Sequence, residues 1–143
     1  MRALTVRFPW SAAIAHGTKR TENRPKPIPP AHLGTTILIH AGLAEDDNAL
    51  PAETVRAWPR HYGAIIAVAD LASCHQAARP RCCAPWGFPQ TDAGTLWHWQ
   101  LDNVRTLPHP PRPVRGQLGL WTVDDDVLAA VRRQVEIPQD VTA

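Results

Sequence analysis

At 143 residues, with 44% hydrophobic and 20% charged side chains, the chain has the size and composition of one globular domain, which excludes general disorder and leaves little room for a second core. Its formal charge of +2 hides a local excess: residues 1–26 carry six Lys and Arg against the single Glu22, so the basic charge is placed as an anion-binding surface requires. No run approaches the roughly eighteen apolar residues of a membrane span, and "MRALTVRFPW" lacks the apolar core of a signal peptide.

Leu4 and Val6 alternate with Thr5 and Arg7, the period of a half-buried strand. Pro9 then opens a helix over "WSAAIAH", about two turns long, that Gly17 ends; Trp10, Ala13 and Ile14 form its expected buried stripe. "KRTENR" reads as a short extended stretch, and "PKPIPPAHLG" as a proline-bounded connection that excludes helix. "TTILIHA" is the clearest early strand, Pro51–Trp58 a short helix, and "GAIIAVADL" a core strand.

A thiol-containing loop with Pro80, Pro85 and Pro89 is expected from Ser73 to about Gly94. In "LWHWQLDNV", Trp97, Trp99 and Leu101 share one face, and Leu96, His98, Gln100 and Asp102 the other. "QLGLWTV" is the last strand, followed by a helix capped by Asp124 that runs to about Val135. Short helices and strands without regular alternation predict an α+β fold: a mixed β-barrel of five or six strands with short flanking helices. A single domain over residues 1–136 and a short tail, 137–143, are expected.

The three cysteines, Cys74, Cys82 and Cys83, are odd in number and two are adjacent, which fits reduced thiols and a cytoplasmic setting. Abundant Arg, Ala, Pro and Trp with few Lys suggest a high-GC bacterial or phage coding sequence. Cys74, His75, Cys82 and Cys83 would suffice for a tetrahedral metal. Their C-H-x6-C-C spacing matches no established zinc pattern, and adjacent ligands strain one centre, so partly buried free thiols are expected, with no metal and no cofactor.

"LTVRFPWSAAIAHGTKRTENR" resembles the opening of an ASCH domain, the module named after activating signal cointegrator 1 homology and related to PUA-like RNA-binding domains. The family's "R-x-P-W" turn and "G-x-K-x-x-E-x-R" segment correspond to Arg7, Pro9, Trp10, Gly17, Lys19, Glu22 and Arg24. "LIHAG", "WHWQLDNV" and "RGQLGLW" continue the likeness over nearly the whole chain, while Phe8 stands where many members carry Gln. The resemblance implies a β-barrel with a cleft beside the Gly-Lys-Glu-Arg segment and, as ligand, RNA, another single-stranded nucleic acid or a nucleotide-like molecule.

Arg7, Trp10, Lys19, Glu22, Arg24 and His98 are the candidate ligand-binding residues. Arg and Lys would hold phosphate while the carboxylate accepts from a base or sugar. The alternative is a small hydrolase in which Lys19 and Glu22 act as base and acid on a modified nucleoside or on RNA. Some small relatives of this fold hydrolyse the amide of acetylated cytidine with a lysine, a threonine and a glutamate, the first two in a "K-x-x-T-x-R" spacing. Here Lys19 and Arg24 match, but Glu22 stands in the threonine's place, and Thr21 falls on the opposite side of an extended chain. Binding module and enzyme both remain open from the residues, as does a partner-binding adaptor. His40 reads as a hydrogen-bonded structural residue.

Overall fold

The computed structural model describes residues 1–46, 49–79 and 81–139; Pro80 of the expected thiol loop and the last four residues of the expected tail lie outside them. Six strands, β1 (Arg2–Phe8), β2 (Thr21–Arg24), β3 (Thr36–Glu45), β4 (Ile65–Gln76), β5 (Trp97–Thr106) and β6 (Leu120–Thr122), form one sheet in the order β2-β5-β4-β3-β1-β6. β1 runs parallel to β3 and antiparallel to β6, and β2 runs antiparallel to β5, so the sheet is mixed. The helices are α1 (Trp10–His16), α2 (Ala52–Arg56) and α3 (Asp125–Arg132).

The α+β class is therefore as expected, but the barrel is not: the sheet is open, with β2 and β6 as its edges. Closure needs two edge strands long enough to pair along their length at a common tilt. Here β2 has four residues and β6 three, and both spend their pairing on one neighbour. None of the described helices is long and apolar enough to cross a membrane.

The described chain forms two compact units, one comprising residues 1–18, 36–69 and 104 onward, the other residues 19–35 and 70–103. In the first, Leu4, Val6, Leu38 and Ile39 are buried along the parallel β1–β3 pair, as the near-continuous apolar runs of parallel strands require. The helix α1 covers them with Ala12, Ala13 and Ile14; Trp10 is only half-buried and donates its Nε1–H to Asp46 Oδ2 at 2.8 Å. Gly17 is required by contact, since a Cβ there would meet Ala13 O at 2.8 Å and Trp58 Cζ2 at 3.0 Å. Asp124 precedes α3 but makes no side-chain cap; its carboxylate instead accepts from Arg112 at 3.0 Å, and Arg112 also grips Asp126.

His40 is 1% exposed and fully partnered. Its Nε2–H faces the carbonyls of Gly63 (2.9 Å) and Val114 (2.8 Å), which leaves Nδ1 to accept from the Thr5 hydroxyl at 3.1 Å. The same hydroxyl oxygen accepts from Trp121 Nε1–H at 3.0 Å, and the Trp121 ring stands edge-on to His40. Replacing Thr5 with Val keeps the shape and strands two buried polar atoms, so a loss of about 1–2 kcal/mol is expected in urea unfolding. A Thr5→Ser protein should retain most of that stability; equal losses in both would assign the effect to packing.

In the second unit, the β2–β5 register sets Thr21 against Gln100, Glu22 against Trp99, Asn23 against His98 and Arg24 against Trp97. Trp99 is buried, and its Nε1–H donates to Lys26 O at 2.8 Å. Leu71 on β4 ties down the connection that follows β2, accepting from Gly34 N–H at 2.7 Å and donating to Thr35 O at 2.9 Å, and the proline-bounded segment there makes one 3-10 turn, Pro30–His32. β4 extends to Gln76, so Cys74 and His75 belong to a strand rather than to the expected loop.

Candidate functional site

Lys19 ends the turn after α1 and Glu22 lies on β2; they are 1% and 7% exposed. The Lys19 ammonium donates to the carbonyl of Thr21 and stands 3.5 Å from Glu22 Oε1. The other carboxylate oxygen, Oε2, accepts from Arg24 Nε at 3.1 Å and Arg24 Nη2 at 2.8 Å. One carboxylate thus bridges two cations, and its burial increases gradually outward to inward: the Arg24 side chain is 24% exposed, Glu22 9% and Lys19 2%. Burial holds the Lys19 ammonium below the usual lysine value of 10.5, while Glu22 pulls it back up.

The alternation of an extended strand decides what surrounds this triad. Glu22 and Arg24 project to the face of the β2–β5 pair that carries Trp99 and Trp97, and Thr21 and Asn23 to the face of Gln100 and His98. Trp99 is core, but Trp97, directly opposite Arg24, is only half-buried. Thr21 donates its hydroxyl to Gln100 Oε1 at 3.1 Å. It is therefore committed away from Glu22, as the one-residue displacement in the sequence predicted.

Trp86 was not among the sequence candidates, yet its ring centroid lies 5.9 Å from Lys19 Nζ, within cation–π range. The signal was there: a tryptophan in "CCAPWGFP", a segment that cannot be helix or central strand, is available for a site. Asn23 fixes that loop, donating from Nδ2 to Trp86 O at 2.9 Å and accepting at Oδ1 from Phe88 N–H at 2.8 Å.

The other candidates are distributed differently. Arg7 and Trp10 belong to the first unit, and Lys19, Glu22, Arg24 and His98 to the second. Arg7 is exposed between the buried Val6 and Phe8. Phe8 packs edge-on to Tyr62 under the guanidinium of Arg60, 4.4 Å from its ring, so the position where many ASCH domains carry Gln is filled by a core aromatic. His98 is fully buried on β5 and points away from the triad's face, toward Cys82, with His75 and Cys83 nearby. Burial and the neighbouring Cys82 push the Cys83 thiol up from its ordinary range.

No protein-family model matches the sequence, and no curated protein matches it either. Solved structures do. The crystal structure of ASCH from Zymomonas mobilis is similar at a TM-score of 0.60 and 14% identity, over 96% of this chain and 97% of that one. A point mutant of that protein is similar at a TM-score of 0.49 and 16% identity, over 96% of this chain and 85% of the other. The chain has an ASCH-like fold, a six-stranded mixed sheet with a few short helices.

Proposed function

We propose that this ASCH-like chain binds RNA or a nucleotide-like ligand at the Lys19–Glu22–Arg24 site. The observation that carries the reading is the shared carboxylate: Glu22 stands between the buried Lys19 and Arg24, and so holds Arg24, whose side chain is 24% exposed, at the margin of the protein. A guanidinium oriented in this way is suited to phosphate, and Trp97, opposite it on β5, adds an aromatic surface of the kind on which bases stack. The ASCH-like fold supports the same class of ligand by analogy.

A panel of RNA oligonucleotides and mononucleotides, titrated at several salt concentrations, tests this. Arg24→Ala should weaken binding about tenfold or more and lower the salt slope by about 1, the signature of one lost phosphate contact. Trp97→Ala should weaken binding with the slope unchanged. Binding by neither RNA nor nucleotide, or an Arg24→Ala protein that binds as the parent does, would end the proposal.

One observation favours a second reading, a hydrolase of a modified nucleoside or of RNA: a lysine whose pKa is lowered by burial beside a carboxylate is suited to proton transfer. Product formation from acylated nucleosides and RNA, abolished in Lys19→Met and present in Arg24→Ala at raised KM, would replace the binding role with a catalytic one.

A further inference from the structure

Two of the three cysteines, Cys82 and Cys83, converge with two histidines of the same unit. β4 brings His75, the loop after it brings Cys82 and Cys83, and β5 brings His98, with one ligand atom from each lying within 4.8 Å of all the others. Cys82 Sγ is 3.4 Å from His98 Nδ1 and 3.6 Å from His75 Nε2, and Cys83 Sγ is 3.4 Å from His75 Nε2. Zinc bonds of about 2.3 Å to sulfur and about 2.0–2.1 Å to nitrogen, opened to a tetrahedral angle, place sulfur and nitrogen about 3.6 Å apart. Three of the four sulfur–nitrogen edges, at 3.4–3.6 Å, are thus close to those of such a tetrahedron. We propose that His75, Cys82, Cys83 and His98 bind one structural Zn2+.

The surroundings prepare each ligand. His98 Nε2–H donates to Phe88 O at 2.7 Å, which fixes the tautomer and leaves the Nδ1 lone pair facing Cys82; a second ring nitrogen tied to a carbonyl is the usual support of a metal-bound imidazole. Gln100 Nε2–H donates to Cys83 Sγ at 3.1 Å, as suits a thiolate. Arg81 braces the loop, giving Nε–H to Gly87 O at 3.1 Å and Nη2–H to Pro85 O at 2.6 Å. Two thiolates and two imidazoles in a tetrahedral set select Zn2+ over harder cations, and four protein ligands leave no open position for chemistry.

The adjacency of Cys82 and Cys83, which argued against a metal in the sequence, is resolved by the backbone. Cys83 has φ 59°, and a left-handed residue breaks the alternation that would otherwise send neighbouring side chains to opposite sides. Cys74, the remaining thiol, is turned elsewhere: its Sγ accepts from Ile28 N–H at 3.4 Å. The metal would fasten to β4 and β5 the loop that sets Trp86 over Lys19.

Native mass spectrometry of the purified full chain, with and without chelator, and titration of the metal-free chain with Co2+ test the site. One equivalent of zinc is expected, replaceable by Co2+ with the visible bands of a tetrahedral ion and a thiolate charge-transfer band. Cys83→Ser and His98→Ala should lose stoichiometric metal, Gln100→Ala should bind it about 10–100-fold more weakly, and Cys74→Ser should retain it. Absence of both zinc and a tetrahedral Co2+ spectrum in the parent protein would overturn the proposal, as would a spectrum unchanged in Cys82→Ser/Cys83→Ser. The parent titration needs no variant, so poor folding of a substituted chain does not shield the idea.

Discussion

A Glu22→Ala protein is expected to be about 3–5 kcal/mol less stable than its parent in urea unfolding, the range for removing one partner of a buried ion pair. Glu22 Oε1 stands 3.5 Å from the ammonium of Lys19, a residue only 1% exposed, so the loss of this carboxylate leaves a buried cation short of a counter-charge. Lys19→Met, by contrast, fills a similar volume and leaves Glu22 paired with Arg24, so a change within about 1 kcal/mol is expected. The asymmetry is the diagnostic quantity. Equal losses in the two variants would mean that Lys19 does not depend on Glu22.

The same pair fixes the sign of a pH effect. Lys19 has a folded-state pKa below the usual 10.5, so between that lowered value and 10.5 the unfolded chain binds more protons than the folded one. Its contribution to stability therefore rises with pH through that window and levels off above 10.5. Other titrating groups are common to the parent and Lys19→Met and cancel in their difference, which should become more favourable to the parent as pH rises. A flat difference would remove the lowered lysine from the argument, and with it the support for proton transfer at this site.

What was legible in the sequence follows from local rules. The two-residue period placed Trp97 and Trp99 on one face of β5 and His98 on the other, and the β2–β5 register has them so. The separation of Thr21 from Glu22 followed from the same rule. What was not legible depended on partners distant in the chain. Barrel or open sheet turned on whether β2 and β6 were long enough to meet, which no period reveals. Spacing along the chain likewise cannot show that β5 carries His98 to Cys82, or that Ile28 N–H meets Cys74 Sγ. The single left-handed φ of Cys83, which lets two neighbouring thiols converge, has no residue signature, since cysteine is not a residue that marks such a turn.

Gly87→Ala should be destabilising by roughly 3 kcal/mol, the upper part of the range for overpacking a filled interior. A Cβ at this position would stand 2.7 Å from Cys82 O, 2.7 Å from Cys83 Cβ and 2.8 Å from His98 Cε1. None of the three can yield cheaply. Cys82 O and Cys83 Cβ belong to a turn closed by Gly87 N–H on Cys83 O at 2.7 Å, and His98 is fully buried with its ring tied to Phe88 O. The loop must therefore open, loosening the Asn23 clamp and the seat of Trp86 near Lys19; if the four ligands hold zinc, its affinity falls as well. Gly34→Ala is the control: its Cβ meets nothing within 4 Å, and its cost, about 1–2 kcal/mol, comes from φ +80° alone. A Gly87→Ala chain no less stable than Gly34→Ala would show that Cys82, Cys83 and His98 do not enclose this glycine, and the thiol–imidazole cluster would lose the packing that assembles it.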